Sequence, residues 1–401
     1  MSATAAQASA PSPAVAPPPG NPRFALFDSL RGIAILAVVT FHVVGIAGDL
    51  GRRVVGDVFA ILGPQAPILF FAISGFLLYR PYVAARAAGA PSPSLARYAR
   101  RRVLRIVPAY WLALTVLAIY PGIVGVFSSD WWRYYFFLQL YSHDTYAGGI
   151  SVAWTLCVEA SFYLALPFWA LAVRRLGVEL LPLALVALGG AAIQVAAAHN
   201  DVSDLVASTA LGQCTWIALG MALAVASVAV ERGPREPGVV RFVTRRPGAC
   251  WWAAAAAFAG LVIVLRSDWV FAEATTFTAQ APVLKTVLAI AFSATLAVLL
   301  MAPAVFGERA GGVPRRVLAV APLAWLGVLS YSIYLWHLPV AELLGLSRDP
   351  AHISAHGLDL ASRIDHLTAP ILFVVVLAVS LAIAIASYRL VELPFLRRKE
   401  R

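Results

Sequence analysis

Ten stretches of this chain are each long and apolar enough to cross a lipid bilayer, and nothing else in the sequence constrains its fold as strongly. They fall at residues 29–48, 57–79, 103–126, 153–173, 180–198, 207–230, 250–266, 284–305, 321–345 and 368–391; about 20 mainly apolar residues suffice for a helix to span the hydrocarbon. A bilayer offers no partner to backbone N–H and C=O groups, so such segments must satisfy them internally, as helices. With 61% hydrophobic and 13% charged residues and a mean hydropathy of +0.80, the chain has more apolar surface than a soluble core of its length would bury. The expected fold is all-α, a polytopic membrane protein of about ten transmembrane helices. No soluble domain fits between them.

Residues 1–22 are rich in Ala, Pro and Ser, contain no Lys or Arg, and lack the apolar core of a signal peptide. They are expected to form a disordered cytoplasmic tail ahead of a transmembrane domain at 23–396 and a basic cytoplasmic C-terminus at 397–401. Cys157, Cys214 and Cys250 all fall in or at the edge of predicted helices, and no C-x-x-C or Cys/His spacing appears. Neither a disulfide nor a metal site is expected. Lys and Arg accumulate on cytoplasmic flanks. With the N-terminus inside, cytoplasmic segments hold 23 of the 31 Lys and Arg and outer segments hold seven, Arg31 being the one left over. This asymmetry predicts a cell-membrane protein with both termini in the cytoplasm. It also accounts for the net charge of +11 without a nucleic-acid partner.

Polar residues inside the spans point to function, because ionisable groups in hydrocarbon are costly. Arg31 and His42 lie eleven residues apart in the first span, close to three turns, so they share a face about 16 Å apart. Arg31 can snorkel to the cytoplasmic interface while His42 sits in the outer half. Glu159, in SVAWTLCVEASFYLALP (151–167), is expected about 9 Å below the outer surface, at a depth similar to that of His42. A carboxylate there needs a partner or a water-filled cavity, and a histidine at the same depth would serve. Ser74 and Gly75, in FFAISGFLLYRPY (70–82), lie toward the cytoplasm, where Gly75 allows close approach of a ligand or of a neighbouring backbone.

ARRRVLRIVPAYW (99–111) sets Arg100, Arg101, Arg102 and Arg105 within a turn and a half, suited either to a polyphosphate or to lipid headgroups. LGVLSYSIYLWHLPV (326–340) carries Tyr331, Tyr334 and His337, with Tyr334 and His337 on one face and Trp336 elsewhere, as a lipid-facing or interfacial aromatic. The aromatic-rich stretch 128–146 reads as an interfacial or re-entrant segment. His143, His352, His356 and His366 fall in outer loops, where solvent-exposed roles are the default.

In their order and spacing these stretches resemble the acyltransferase 3 family of integral membrane proteins, over almost the whole chain. The family's Arg/Lys-x10-His element corresponds to Arg31 and His42, Phe-x-x-Ser-Gly-Phe to Phe71–Phe76, and Arg-Arg-x-x-Arg-Ile-x-Pro-x-Tyr to Arg101–Tyr110. Its Trp-Ser-Leu-x-x-Glu-x-x-Phe-Tyr element corresponds to Trp154–Tyr163, with Thr155 in the serine position; Ser-Tyr-x-x-Tyr-Leu-x-His to Ser330–His337; and Glu-x-Pro to Glu392, Leu393 and Pro394.

The resemblance implies a membrane O-acyltransferase that moves an acyl group, often acetyl, from cytoplasmic acyl-CoA to a hydroxyl of a carbohydrate, glycolipid or secondary metabolite of the cell envelope. Some relatives carry a hydrolase-like domain after the tenth helix. This chain ends within ten residues of its tenth span, so no such domain is expected. The chemistry requires a base for the acceptor hydroxyl, a thioester nearby and stabilisation of an oxyanion. His42 is the expected general base, with Glu159 orienting or tuning it. Arg31, Ser74, Arg101, Arg102 and Arg105 are expected to hold the acyl-CoA, and Trp154, Tyr331, Tyr334 and His337 the acceptor. A ten-helix transporter or lipid flippase is the alternative, since buried Arg, His and Glu also line transport paths. Against it, the polar motifs crowd into residues 28–163 and near 330, without an internal repeat.

Overall fold

The computed structural model describes residues 24, 26–47, 54–173, 178–266, 283–306, 312–344 and 369–398. The expected tail at 1–22, the loop histidines His352, His356 and His366, and residues 399–401 lie outside the described residues. Ten helices among the described residues are long and apolar enough to cross a membrane, and no strand occurs among them. The protein is an all-α, multi-pass membrane protein. The membrane helices are α1 (Leu26–Ile46), α2 (Val54–Ala87), α3 (Leu95–Ile119), α4 (Trp154–Ala172), α5 (Leu180–Ala198), α6 (Ala210–Arg232), α7 (Pro247–Arg266), α8 (Val283–Val305), α9 (Ala321–Leu343) and α10 (Ala369–Ser387).

Two boundaries differ from the sequence reading in ways that shape the site. α2 runs on through Pro81 to Ala87, two turns past the apolar stretch; prolines are tolerated in membrane helices whose neighbours satisfy the freed groups. α3 begins at Leu95, eight residues ahead of the apolar run, with the Ser94 hydroxyl accepting from the Arg97 N–H, as helix-capping hydroxyls do. The arginine-rich turns are therefore helix. α3 stops before the Tyr120–Pro121 bond, where the residue ahead of proline disfavours helical geometry.

The segment 120–153 crosses nothing. It folds back on α3 through the short helix Trp131–Tyr135 and the turn Gln139–Tyr141. The Tyr110 hydroxyl donates to the Tyr134 carbonyl at 2.8 Å, the Trp111 indole N–H donates to the Tyr135 carbonyl at 2.9 Å, and the Phe137 ring stacks on Tyr110. Phe137, Leu140, Ile150, Val152 and Ala153 are buried, while Trp131, Trp132, Phe136, Tyr141, Tyr146 and His143 are exposed. Aromatics of this kind concentrate at membrane–water interfaces.

α1 lies at the centre of the bundle, packed on α9 and antiparallel to α2, while α2 packs on α6. Small residues let membrane helices approach closely. A Cβ on Gly327 of α9 would meet the Asp28 backbone of α1, and one on Gly75 of α2 would meet the Ile217 backbone of α6. Gly75 thus serves helix packing rather than a ligand. Trp336 is 7% exposed and faces the core, not lipid.

Candidate active site

The basic run from Arg80 to Arg105 divides by partner. Arg80 donates from Nε to the Ser227 hydroxyl at 3.1 Å, pairs with Glu231, and stacks on Phe24. Arg86 donates to Glu179 Oε1 at 2.7 Å and to the Tyr79 hydroxyl at 2.9 Å, and Tyr79 donates in turn to Glu179 Oε2 at 2.7 Å. These two arginines join helices. Arg100 donates to the Arg398 carbonyl at 2.7 Å, tying α3 to the terminal helix Leu393–Arg398. Arg101, Arg102 and Arg105 form no hydrogen bond or ion pair with the described residues, and Nε of Arg101 and of Arg102 is buried without a partner. Arg102 lies 5.9 Å from the Tyr163 ring centre.

All three face a cavity of about 540 Å³, within the size range of small-molecule sites. Arg97 and Arg397 join them on its wall. Further in lie Arg31, 3.7 Å from the Asp28 carboxylate, and Glu159. Glu159 accepts from the Ser74 hydroxyl at 3.0 Å and from the Tyr163 hydroxyl at 2.5 Å. The far end is bounded by Val38, Pro67, Thr155 and Tyr334. Tyr334 donates to the Val152 carbonyl and lies 2.7 Å from the Thr155 hydroxyl, while the Tyr331 hydroxyl donates to the Ile106 carbonyl at 2.7 Å. Val38 is one turn, about 6 Å, short of His42 on α1.

Past that end two imidazoles meet. His337 Nδ1 faces the Ile333 and Tyr334 carbonyls at 3.1 and 2.9 Å, so Nδ1 carries its proton and Nε2 keeps a lone pair. That Nε2 lies 3.1 Å from His42 Nδ1, which is also 3.0 Å from the Val38 carbonyl. Both neighbours of His42 Nδ1 are acceptors, so it too is protonated, and Nε2 of His42 holds the unshared pair. Neither ring pairs with a carboxylate among the described residues. His42 is half-buried and His337 fully buried.

Arg31, Ser74, Glu159, Arg101, Arg102 and Arg105 are thus brought together around one cavity, which Tyr331 and Tyr334 also line. His42, His337 and Trp154 are not on its wall. Glu159 departs from the depth expected of it. α2 is antiparallel to α1, Gly63 packs on Phe41, and Ser74 follows Gly63 by three turns, which sets Ser74 and the Glu159 bonded to it level with Arg31 rather than His42. The cause is the buried end of the 120–153 segment: Val152 already bonds to Tyr334 and Trp154 meets Phe71, so α4 begins inside the bundle. The ring beside His42 is His337, which is fully buried. Asp28 and Arg397 line the cavity without having stood out in the sequence, and so does Tyr163, which the sequence offered only as the last residue of the Trp154–Tyr163 element; Asp28, three residues ahead of Arg31, was the legible one.

A family model described as an acyltransferase domain matches residues 24–389. No curated protein and no solved structure matches the chain.

Proposed function

The chain belongs to the acyltransferase 3 family and is an acyltransferase, and from that premise we propose that it moves an acyl group, acetyl in the simplest case, from cytoplasmic acyl-CoA to a hydroxyl of an envelope carbohydrate, glycolipid or secondary metabolite. One observation carries the reading: a cavity bearing unpaired guanidiniums leads along α1 toward a histidine whose Nε2 pair is unshared. Guanidinium forks match phosphate oxygens. Arg101, Arg102 and Arg105 take the phosphates of the donor, with Arg31 deeper in, and the pantetheine arm extends toward Val38 and Thr155. The thioester then arrives within a turn of His42, and the donor need not cross the bilayer.

The acceptor hydroxyl gives its proton to His42 Nε2 as its oxygen bonds to the thioester carbonyl carbon. The C–S bond breaks, and the departing thiolate recovers the proton from the imidazolium, leaving ester and free CoA thiol. Glu159 acts on the donor side, holding Ser74 and Tyr163 on the cavity wall beside Arg31.

Purified protein in bilayers, labelled acetyl-CoA and an envelope acceptor extract test this. His42→Ala should lower transfer by about 10²–10⁴-fold, the usual worth of a positioned base, with acyl-CoA binding retained. Transfer at the parent rate by His42→Ala would remove His42 from the mechanism.

A further inference from the structure

We propose that His337 is the positioning residue of the base, a neutral counterpart of the carboxylate that orients histidine in hydrolytic triads; the inference rests on His42 being the base. His337 is 0% exposed and cannot reach acceptor or donor. Both ends of its ring are committed: Nδ1–H to two carbonyls of its own helix at 3.1 and 2.9 Å, and Nε2 to His42 Nδ1 at 3.1 Å. Because Nδ1 is pinned as donor, Nε2 can only accept. That fixes the tautomer of His42, since a proton on its Nδ1 leaves Nε2 as the basic nitrogen.

The Val38 carbonyl lies within bonding distance of the same Nδ1, but it already belongs to the backbone ladder of α1. The lone pair of His337 adds an acceptor aligned from another helix. When the acceptor proton reaches His42 Nε2, the His42 Nδ1–H becomes a charged donor, and its bond to His337 strengthens with no atom having to move. Tyr334, its ring centre 5.9 Å from that of His337, and Phe41, 5.1 Å from His42, are the aromatic neighbours of the pair.

A neutral partner suits this place. A carboxylate beside His42 in a low-dielectric interior would favour the imidazolium at rest and so occupy the base. An imidazole orients the ring without doing so. It also explains why Glu159 can lie with Ser74 and Tyr163 while the base is still held.

Three substitutions separate positioning from packing. The amide of His337→Gln reaches the place of Nε2, that of His337→Asn only the place of Nδ1, and His337→Phe supplies no acceptor. The Asn and Phe variants should lose about 10- to 100-fold in kcat, as misplaced catalytic groups do, with KM for acyl-CoA unchanged, and Gln should restore most of the rate. Retained acyl-CoA binding shows that each variant is folded. In ¹⁵N-histidine-labelled parent protein in bilayers, solid-state NMR should show a ¹⁵N–¹⁵N correlation through the hydrogen bond from His42 Nδ1 to His337 Nε2, absent from His42→Ala. Parent-level kcat in His337→Phe, an equal loss in Gln and Phe, or no correlation in the parent overturns the proposal. If His42→Ala is inactive and His337→Phe is not, only this inference fails; if His42→Ala is active, the base reading fails first.

Discussion

A guanidinium without a carboxylate inside a membrane bundle is kept at a cost in free energy, so its partners, or their absence, say what it is for. Arg80 and Arg86 meet Glu231 and Glu179 across helices, whereas Arg101, Arg102 and Arg105 meet no carboxylate closely enough to pair among the described residues. The difference was not legible in the sequence, where all five belong to one basic run. Their sorting depends on carboxylates 93 and 151 residues away, and those come near only when α2, α5 and α6 have packed. Replacing Arg101, Arg102 or Arg105 by Lys retains the charge and removes the fork. Each change should raise KM for acyl-CoA by about tenfold or more, the worth of a charge-assisted hydrogen bond, with kcat and unfolding midpoint near those of the parent. Steady-state kinetics in bilayers checks this; unchanged KM values would make the cluster a membrane anchor.

Among the elements, the contact of α1 with α9 decides whether the proposed base is held, because it sets His42 against His337. One half of it could be read from the sequence: an eleven-residue spacing puts Arg31 and His42 on one helical face whatever the helix packs on. The other half could not. The histidines are 295 residues apart, and helical period says nothing about which distant face a residue will meet. Depth counting failed at Glu159 for a related reason, since it takes a helix to start at the membrane surface and α4 starts on Tyr334 and Phe71. The contact itself depends on Gly327, where a Cβ would press on the Asp28 backbone. Gly327→Ala should cost about 1–3 kcal/mol of stability, as overpacking does, and slow transfer by parting the rings. Gly189 of α5, where an added Cβ would find nothing within 4 Å, is the control: alanine there should leave stability unchanged or raise it by up to about 1 kcal/mol. Denaturant unfolding in mixed micelles measures both, and equal costs at the two positions would mean that close approach is not what Gly327 provides.

At the scale of the whole molecule the mechanism is an argument about sides. In the proposed mechanism the unpaired arginines and His42 stand at opposite ends of a path along α1, so the arginine end meets cytoplasmic acyl-CoA only if the basic loops are cytoplasmic. Helix parity puts the α2–α3 and α6–α7 connections on one face and the α3–α4 and α5–α6 connections on the other, and the basic residues are concentrated on the former. With Cys157, Cys214 and Cys250 replaced, single cysteines at the exposed positions Ser92 and Arg235 should resist an impermeant thiol reagent in intact cells and react after permeabilisation. Cysteines at His143 and Asp201, also exposed, should react in both. The opposite pattern would turn the arginine end of the cavity away from the compartment that holds acyl-CoA. Phosphate recognition by Arg101, Arg102 and Arg105 would then have to serve some other anion, however sound the chemistry of the two histidines.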